Sequence, residues 1–411
     1  MDSEFWDKFY SENTEDSTKA QLVNPWIHDE FNRSREKLFY LALQVHKKFI
    51  LSSTACRDNF INLAMMWQSR NNTDDELVNY SKVDREKAFP ELLNTLFLFT
   101  PVISSTFASI QTFLGDIKES EKIGTLIVDE AGQASPQMAL GALYRSKKAI
   151  IVGDPKQIEP VVTDDADHIK QVFSEEVLKA YLSKTISVQG FADQVNRYGS
   201  YIKDSDEMGK GTWVGCPLIV HRRCINPMFK ISNQISYGNS MKMKSVPPKA
   251  EVCEKFLYHK SQWFNIEGRE KDTKGKNHFV KAQGEKVCRM LEESFRLYSG
   301  APDLFIISPF KSVIEGMVEM LENCHELKKY KAVLTDWCDD NCGTVHKFQG
   351  KEASEVIFLL GCDNNALGAV KWVKSNIVNV AVTRAKYRIY VVGDYSVWNK
   401  SKYVRILNEH L

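Results

Sequence analysis

The chain has 411 residues, with 54 Lys or Arg against 53 Asp or Glu, so its formal net charge is +1. This balance excludes a protein that attracts nucleic acid through a strong overall positive charge, and any such contact must come from a local groove. The hydrophobic content of 43% and the charged content of 26% are typical of a soluble globular protein. The length is sufficient for two or three domains, each with its own core.

The sequence predicts no membrane segment and no secretion signal. No uncharged apolar run approaches the roughly 20 residues that a membrane-spanning helix needs, and residues 1–19 are polar and acidic. The nine cysteines are odd in number and irregularly spaced, which indicates reduced thiols. We therefore expect a cytoplasmic protein.

Residues 1–100 are predicted to be mostly helical. Apolar side chains recur at helical spacing within residues 31–53, with basic side chains on the other face. Pro90 is expected to mark a boundary between two further helical segments. A basic helix face is usually only solvated, so no site is predicted there.

The most informative stretch covers residues 125–137 and 149–160. Each part is an apolar run of strand length that stops on an acidic side chain, Asp129 in the first and Asp154 in the second. Such runs are typical of buried parallel strands, whose carboxyl ends bind ligands in open α/β sheets. Asp129 is the right residue type to bind Mg²⁺, and Glu130 could orient or deprotonate a water, as nucleotide hydrolysis requires.

Further strands and helices are predicted around this stretch. Residues 100–110 are expected to form a strand that ends in small hydroxyl residues, and residues 173–184 a helix. Later apolar runs predict strands over 304–309, 355–361 and 388–394, with a helix over 284–298. These elements together predict an α/β fold.

Three later segments, taken with the two acidic strand ends, form a recognisable set of sequence motifs. They cover residues 218–229, 344–361 and 379–394, and the whole set resembles superfamily 1 helicases. The resemblance is strongest to the branch that includes the nonsense-mediated-decay and Dna-two-like helicases, and to large bacterial proteins that contain the same motor domains. It implies the C-terminal portion of such a protein, with two RecA-like parallel-sheet motor domains of which the first is truncated.

The resemblance also implies a domain division and a role for each matching residue. Residues 1–100 would be a helical N-terminal part, 101–213 the remainder of the first motor domain, and 214–411 the second. The catalytic residues implied for Mg²⁺-dependent ATP hydrolysis are Asp129 as the Mg²⁺ ligand, Glu130, Gln157, Arg223 and Arg384. The implied nucleotide-binding residues are Gly153, Asp154, Arg222, Gln349, Gly350 and Glu352. The residues implied to contact single-stranded DNA or RNA are Ser105, Thr106, Ser308, Pro309, Thr344, His346 and Lys347.

The phosphate-binding loop of such enzymes is missing from the sequence. This loop ends in Gly-Lys-Ser/Thr and cradles the phosphates with its N–H groups and its lysine. Gly-Lys occurs at residues 209–210, 275–276 and 350–351, and neither Ser nor Thr follows any of them. We expect the loop to come from an N-terminal region of a longer protein or from a partner chain. The alternative is a catalytically silent, helicase-like module that binds nucleic acid or protein, for example within a defence or repair assembly.

A zinc site is the weaker interpretation of one cysteine- and histidine-rich segment. Its potential ligands lack the Cys-x₂-Cys spacing that makes a zinc prediction strong. They are Cys324, His325, Cys338, Cys342 and His346.

Overall fold

The protein is described here by a computed structural model that covers residues 3–22, 29–69, 80–160, 174–175, 186–203, 211–270 and 277–411. The chain divides into two compact units. Unit 1 comprises Met1–Gly153 and Pro160–Phe191, and unit 2 comprises Asp154–Glu159 and Ala192–Leu411. The boundary between Gly153 and Asp154 therefore falls inside one of the segments that the sequence singled out.

Unit 1 begins with helices and contains a short parallel sheet. Its helices are α1 Ser3–Phe9, α2 Thr14–Leu22, α3 Asp29–Ser52, α4 Thr54–Ser69, α5 Lys82–Phe99, α6 Phe107–Leu114 and α7 Pro136–Tyr144. Strands β1 (Ile123–Val128) and β2 (Ser146–Ile151) pair in parallel, with Val128 opposite Ile151. The helix predicted over 31–53 is confirmed as part of α3, in which no residue is buried.

Two predictions in unit 1 are wrong. Pro90 lies inside α5 instead of at a boundary. Proline removes a helical hydrogen bond and normally kinks or breaks a helix, but here the buried Phe89 and Leu93 hold both sides of it in the core. The strand predicted over 100–110 is replaced by an unpaired segment that leads into α6 at Phe107.

Unit 2 is built on a larger parallel sheet. Its strands are β7 Gln262–Asn265, β8 Leu304–Ser308, β9 Cys342–Thr344, β10 Ala353–Leu359 and β11 Ala385–Gly393, in the order β7-β11-β10-β8-β9. All four pairings in this sheet are parallel. Smaller sheets pair β3 (Gly199–Ile202) with β4 (Thr212–Gly215) and β5 (Val220–His221) with β6 (Lys242–Met243).

Helices cover both faces of this sheet. They are α9 Met228–Ser236, α10 Ala250–Cys253, α11 Lys281–Tyr298, α12 Lys311–Asn323, α13 Lys331–Asn341, α14 Leu367–Trp372, α15 Ser375–Thr383, α16 Tyr395–Trp398 and α17 Lys402–Glu409. Another helix, α8 (Val188–Val195), runs across the boundary between the two units. Apolar clusters fill both sides of the sheet, and every residue of β10 is buried.

The predicted α/β class with parallel sheets is confirmed. The strands predicted over 304–309, 355–361 and 388–394 correspond to β8, β10 and β11, and the helix predicted over 284–298 lies within α11. The helix predicted over 173–184 lies outside the described residues, apart from residues 174–175. Among the helices that the structure describes, none has the length and apolarity to cross a membrane.

Candidate functional site

The acidic end of β1 is the first part of the candidate site. Asp129 follows β1 directly, and its Oδ1 accepts a hydrogen bond of 2.9 Å from the Glu130 N–H. Glu130 has φ 52°, in the left-handed region that non-glycine residues seldom adopt. The Glu130 carboxylate also accepts from the Gln133 side chain at 3.2 Å. Such backbone strain concentrates at functional sites, so this turn is a strong candidate for one.

The end of β2 packs against this acidic turn. Val152 accepts from the Ala131 N–H at 2.9 Å. A side chain at Gly153 would place its Cβ 2.8 Å from the Gly132 nitrogen, so only glycine permits this approach. The structure thus brings Gly153 against the turn that bears Asp129 and Glu130.

Residues 154–159 belong to unit 2, where a half-buried polar network anchors them. The Asp154 carboxylate accepts from the Tyr237 hydroxyl, from the Gln157 amide at 2.9 Å and from the Lys156 N–H at 2.9 Å. The Asn379 amide donates to the Lys156 carbonyl at 3.2 Å and to the Tyr237 hydroxyl at 3.1 Å. The side chains of Asp154 and Gln157 therefore fix the conformation of this segment.

Tyr237 remains a hydrogen-bond donor because of its surroundings. Burial raises the pKa of its hydroxyl well above the usual value, and the neighbouring Asp154 carboxylate raises the pKa further. A protonated hydroxyl can donate to Asp154 throughout the physiological pH range. Tyr237 is thus the main side-chain anchor of residues 154–159.

Replacing Tyr237 by phenylalanine should loosen this anchor. A hydrogen bond to a charged group contributes about 1.5–3 kcal/mol, so we expect the amides of Lys156 and Gln157 to exchange with solvent at least tenfold faster. Hydrogen exchange followed by mass spectrometry measures this. Tyr387→Phe is the matched control, because its hydroxyl bonds to no described residue. Unchanged exchange in Tyr237→Phe would contradict the anchoring role.

Arg223 lies in a short turn that its neighbours make rigid. The His221 Nε2 accepts from the Cys224 N–H at 2.9 Å. Burial, followed by the positive charge of Arg223, lowers the pKa of His221 to about 4, so the ring is neutral and can accept. The Ile225 N–H donates to the Lys386 carbonyl at 3.0 Å, which ties the turn to β11.

Glu352 links this turn to the loop that follows β9. Its carboxylate lies 3.4 Å from the Arg223 Nε and 3.0 Å from the Lys386 Nζ. The hydrogen bond to Glu352 raises the pKa of Lys386. These side chains are about one-third exposed, and such pairs contribute little to stability. Arg223 can therefore exchange Glu352 for another anionic partner at low cost.

Arg384 lies in the interior of unit 2. It is 0% exposed, and its guanidinium donates to the carbonyls of Val380, Phe348 and Lys351 at 3.0–3.1 Å and to the Thr383 hydroxyl at 3.1 Å. These bonds join the end of α15 to the loop at 348–351. In this structure Arg384 is a clamp for that loop and presents no surface to a ligand.

The clamped loop contains two of the predicted nucleotide-binding residues. Gly350 has φ 79°, which requires glycine, and lies between the two loop carbonyls that Arg384 holds. Gln349 is half-buried, and the exposed Arg222 belongs to the Arg223 turn instead. The fold thus sets the loop conformation, with Glu352 at its end.

The residues predicted to contact single-stranded nucleic acid differ in exposure. Ser105 and Thr106 in unit 1 are exposed, as is His346 in unit 2, and Thr344 is half-buried. Ser308 ends β8, an interior strand between β10 and β9, and Pro309 follows it. Both residues are buried and offer no surface to a nucleic-acid strand.

Lys347 already makes contacts within unit 2. Its ammonium donates to the carbonyls of Asp339 and Cys342, the latter at 2.9 Å. It thereby satisfies carbonyls near the end of α13, a common role for a lysine at a helix C-terminus.

Two residues of these networks were not predicted as site residues from the sequence. Tyr237 and Asn379 are 83 and 142 residues from their partners Asp154 and Tyr237, and Tyr237 belongs to no short motif. The Asn379 position falls in a segment that the sequence singled out for Arg384. Folding alone brings these residues to residues 154–159.

Two family models, both described as AAA domain, match the chain over residues 13–165 and 210–396. Curated relatives include an ATP-dependent helicase of Methanocaldococcus jannaschii, which is 21% identical over 82% of this chain and 44% of the relative. The DNA replication ATP-dependent helicase/nuclease of Gallus gallus is 23% identical over 78% of this chain and 27% of its own length. The regulator of nonsense transcripts 1 of Dictyostelium discoideum is 21% identical over 69% and 19%, respectively. The matched region thus spans less than half the length of each of these relatives.

Proposed function

Since this chain belongs to the superfamily 1 helicase-like proteins, we propose that it supplies part of an ATP-dependent helicase or translocase that acts on single-stranded nucleic acid. The main support for the proposal is the turn at Asp129 and Glu130, which lies at the carboxyl end of β1. Glu130 has a strained backbone conformation, and Gly153 packs against this turn. That edge of a parallel sheet is where ligands bind.

The carboxylates of this turn suit the chemistry of phosphoryl transfer. Asp129 is exposed, and an exposed carboxylate is the kind of ligand that Mg²⁺ uses alongside substrate phosphates. The metal would neutralise charge on the phosphates, and Asp129 is the residue that would hold it. Glu130 accepts from Gln133 and stands beside Asp129, so it is placed to orient or deprotonate the attacking water.

We propose that the phosphate-binding loop comes from the rest of a longer protein or from a partner chain. The sheet of unit 1 contains β1 and β2 among the described residues, and its side chains are unusually open for a parallel sheet. Ile127 on β1 is 61% exposed, Ile150 on β2 is 52% exposed, and Leu140 on α7 is 67% exposed. We expect the segment that bears the phosphate loop to add strands and helices over these apolar side chains.

An ATPase assay tests the proposal. The 411-residue chain alone should not turn over ATP, because missing phosphate contacts of about 1.5–3 kcal/mol each weaken nucleotide binding by orders of magnitude. Turnover that single strands stimulate should appear when the loop-bearing segment is present, either encoded upstream of Met1 or added as a separate chain. Glu130→Gln should abolish it.

The other outcomes separate the alternatives. Glu130-dependent turnover by the 411-residue chain alone would mean that it contains an unrecognised phosphate-binding loop. Binding of single strands without turnover in either form would favour the catalytically silent module.

The proposed nucleic-acid contacts are the exposed hydroxyls at Ser105 and Thr106 in unit 1, and Thr344, His346 and Lys347 in unit 2. Ser308 and Pro309 are left out because they are buried. Hydroxyl and lysine side chains bind phosphates, and such contacts position a strand without reading its sequence.

Binding of single strands should be weak and strongly dependent on salt. Each neutralised phosphate contributes about 0.7 to the slope of log K against log salt. If Lys347 leaves its carbonyl partners to bind phosphate, Lys347→Ala lowers that slope by about this amount, and Thr344→Ala weakens binding to all sequences alike. Fluorescence anisotropy across a salt series measures both effects, with Lys402→Ala as the control. If Lys347→Ala leaves the salt dependence of binding unchanged, Lys347 does not contact the nucleic acid and only donates to its carbonyl partners.

A further inference from the structure

A mixed cluster of ligand-type side chains lies in unit 2, apart from the residues discussed above. Glu270, His278 and Cys362 each offer one donor atom, and these atoms all lie within 4.8 Å of one another. Glu270 is 7% exposed and Cys362 is 0% exposed. This is the one such group of Cys, His and acidic side chains in the described part of the chain, and the cysteine- and histidine-rich segment at 324–346 forms none.

The backbone at the end of β10 directs the cysteine into this cluster. β10 ends at Leu359, and Gly361 and Cys362 then take φ values of 65° and 64°. The Cys362 N–H donates to the His278 carbonyl at 2.8 Å, and the Gly361 carbonyl accepts from the Trp398 indole at 2.9 Å. A cysteine in the left-handed region is uncommon, so the fold maintains this turn against local preference.

Two carboxylates and an imidazole surround the thiol. The His278 Nδ1 lies 3.0 Å from the Glu270 Oε1. The Asp363 carboxylate accepts from the Glu270 N–H at 3.2 Å, and the Asp363 N–H donates back to Glu270 at 3.4 Å. No described residue makes a hydrogen bond with the Cys362 sulfur. A buried thiol beside two acids is therefore left without a polar partner, in a region that favours a cation.

We propose that Glu270, His278 and Cys362 bind one divalent transition-metal ion of the zinc class. The combination of carboxylate, imidazole and thiolate suits zinc and related metals, whereas Mg²⁺ and Ca²⁺ take oxygen ligands. The three donor atoms lie within 4.8 Å of one another, so a small adjustment of the side chains brings all of them to metal–ligand bonds of about 2.0–2.3 Å. Asp363 or a water takes the fourth position.

Binding the ion requires proton release. Burial, together with Glu270 and Asp363, raises the pKa of the Cys362 thiol, so the metal displaces the thiol proton to solvent and binds the thiolate. His278 binds through Nδ1, which donates to the Glu270 carboxylate when no ion is bound. That proton is lost to solvent and Nε2 takes one up, so the bound imidazole stays neutral. The bound ion joins the segment before α11 to the end of β10 and stabilises unit 2.

Cobalt substitution tests this site on the full 411-residue chain. Co²⁺ is the probe, because a cobalt–thiolate bond produces a charge-transfer band in the near ultraviolet. We expect one equivalent of Co²⁺ per chain with this band, and displacement of Co²⁺ by Zn²⁺. Cys362→Ser should lose the band, and His278→Gln should weaken binding at least tenfold. Cys342→Ser is the matched control, since it removes another buried thiol of unit 2 and should keep both band and affinity.

Two results of the metal titrations would overturn the proposal. One is the absence of stoichiometric Co²⁺ or Zn²⁺ binding by the wild-type chain, and the other is a thiolate band that survives in Cys362→Ser. If Cys362→Ser does not fold, the wild-type protein decides the matter. A chelator should lower its Tm, and Zn²⁺ should restore the Tm, because an ion bound to the native state stabilises it. A Tm that neither the chelator nor Zn²⁺ changes would refute the site.

Discussion

In a form of the protein that turns over ATP, replacing Arg223 by alanine is expected to lower kcat by about 10³- to 10⁵-fold, as for the loss of an arginine finger. Arg223 is the candidate arginine with an accessible guanidinium, since its side chain is 34% exposed and lies 3.4 Å from Glu352. We propose that this guanidinium stabilises charge on the γ-phosphate, the role that the resemblance implies for Arg223. Steady-state kinetics with saturating single strands measures the loss.

Arg405→Ala is the control for this prediction, because Arg405 is an exposed arginine on α17. The Arg223→Ala chain should also keep its free energy of unfolding within about 1 kcal/mol, as expected for a partly exposed ion pair. A variant that retains full turnover would remove Arg223 from the catalytic set.

Replacing Arg384 by alanine is expected to destabilise unit 2 by about 3–5 kcal/mol. The substitution removes the hydrogen bonds that the charged guanidinium donates to the carbonyls of Val380, Phe348 and Lys351, and each hydrogen bond with a charged group contributes about 1.5–3 kcal/mol. It also leaves a cavity where a fully buried side chain stood. Hydrogen exchange of the β10 and β11 amides measures the free energy of opening.

Arg384→Lys separates charge from geometry, because lysine keeps the charge but cannot present the planar fork of donors. It should recover little of the lost stability, whereas Arg405→Ala should be neutral. If Arg384→Ala instead keeps the stability of wild type and loses ATP turnover alone, then Arg384 leaves its buried position in the working enzyme and acts on the nucleotide.

Arg223 and Arg384 show which properties of a residue the sequence predicts and which it does not. Both occupy motif positions, and the resemblance assigns both to catalysis. The two residues differ in exposure. The Arg223 side chain is partly accessible, whereas Arg384 is buried and its guanidinium donates to main-chain carbonyls. Exposure depends on packing between elements distant in sequence, and no short motif encodes it.

The same limit applies to Pro90 and to the residues at 100–110. Local preference places a boundary at a proline, and hydroxyl and β-branched residues favour a strand. In the fold, α5 continues through Pro90 because the residues beside it are buried in the core of unit 1. Tertiary packing outweighs propensities of this size.

The sequence by itself determined the parallel strands and their acidic ends. β8 and β10 are buried along their whole length, so they read as continuous apolar runs, and Asp129 follows β1 as a local pattern predicts. The tertiary structure alone decided the contacts across long separations. Tyr237 bonds to Asp154, Arg384 bonds to the loop at 348–351, and Cys362 lies beside Glu270. The physical reason is that burial periodicity is a local property of the chain, whereas a buried polar group takes its partner from whichever segment the packed fold places next to it.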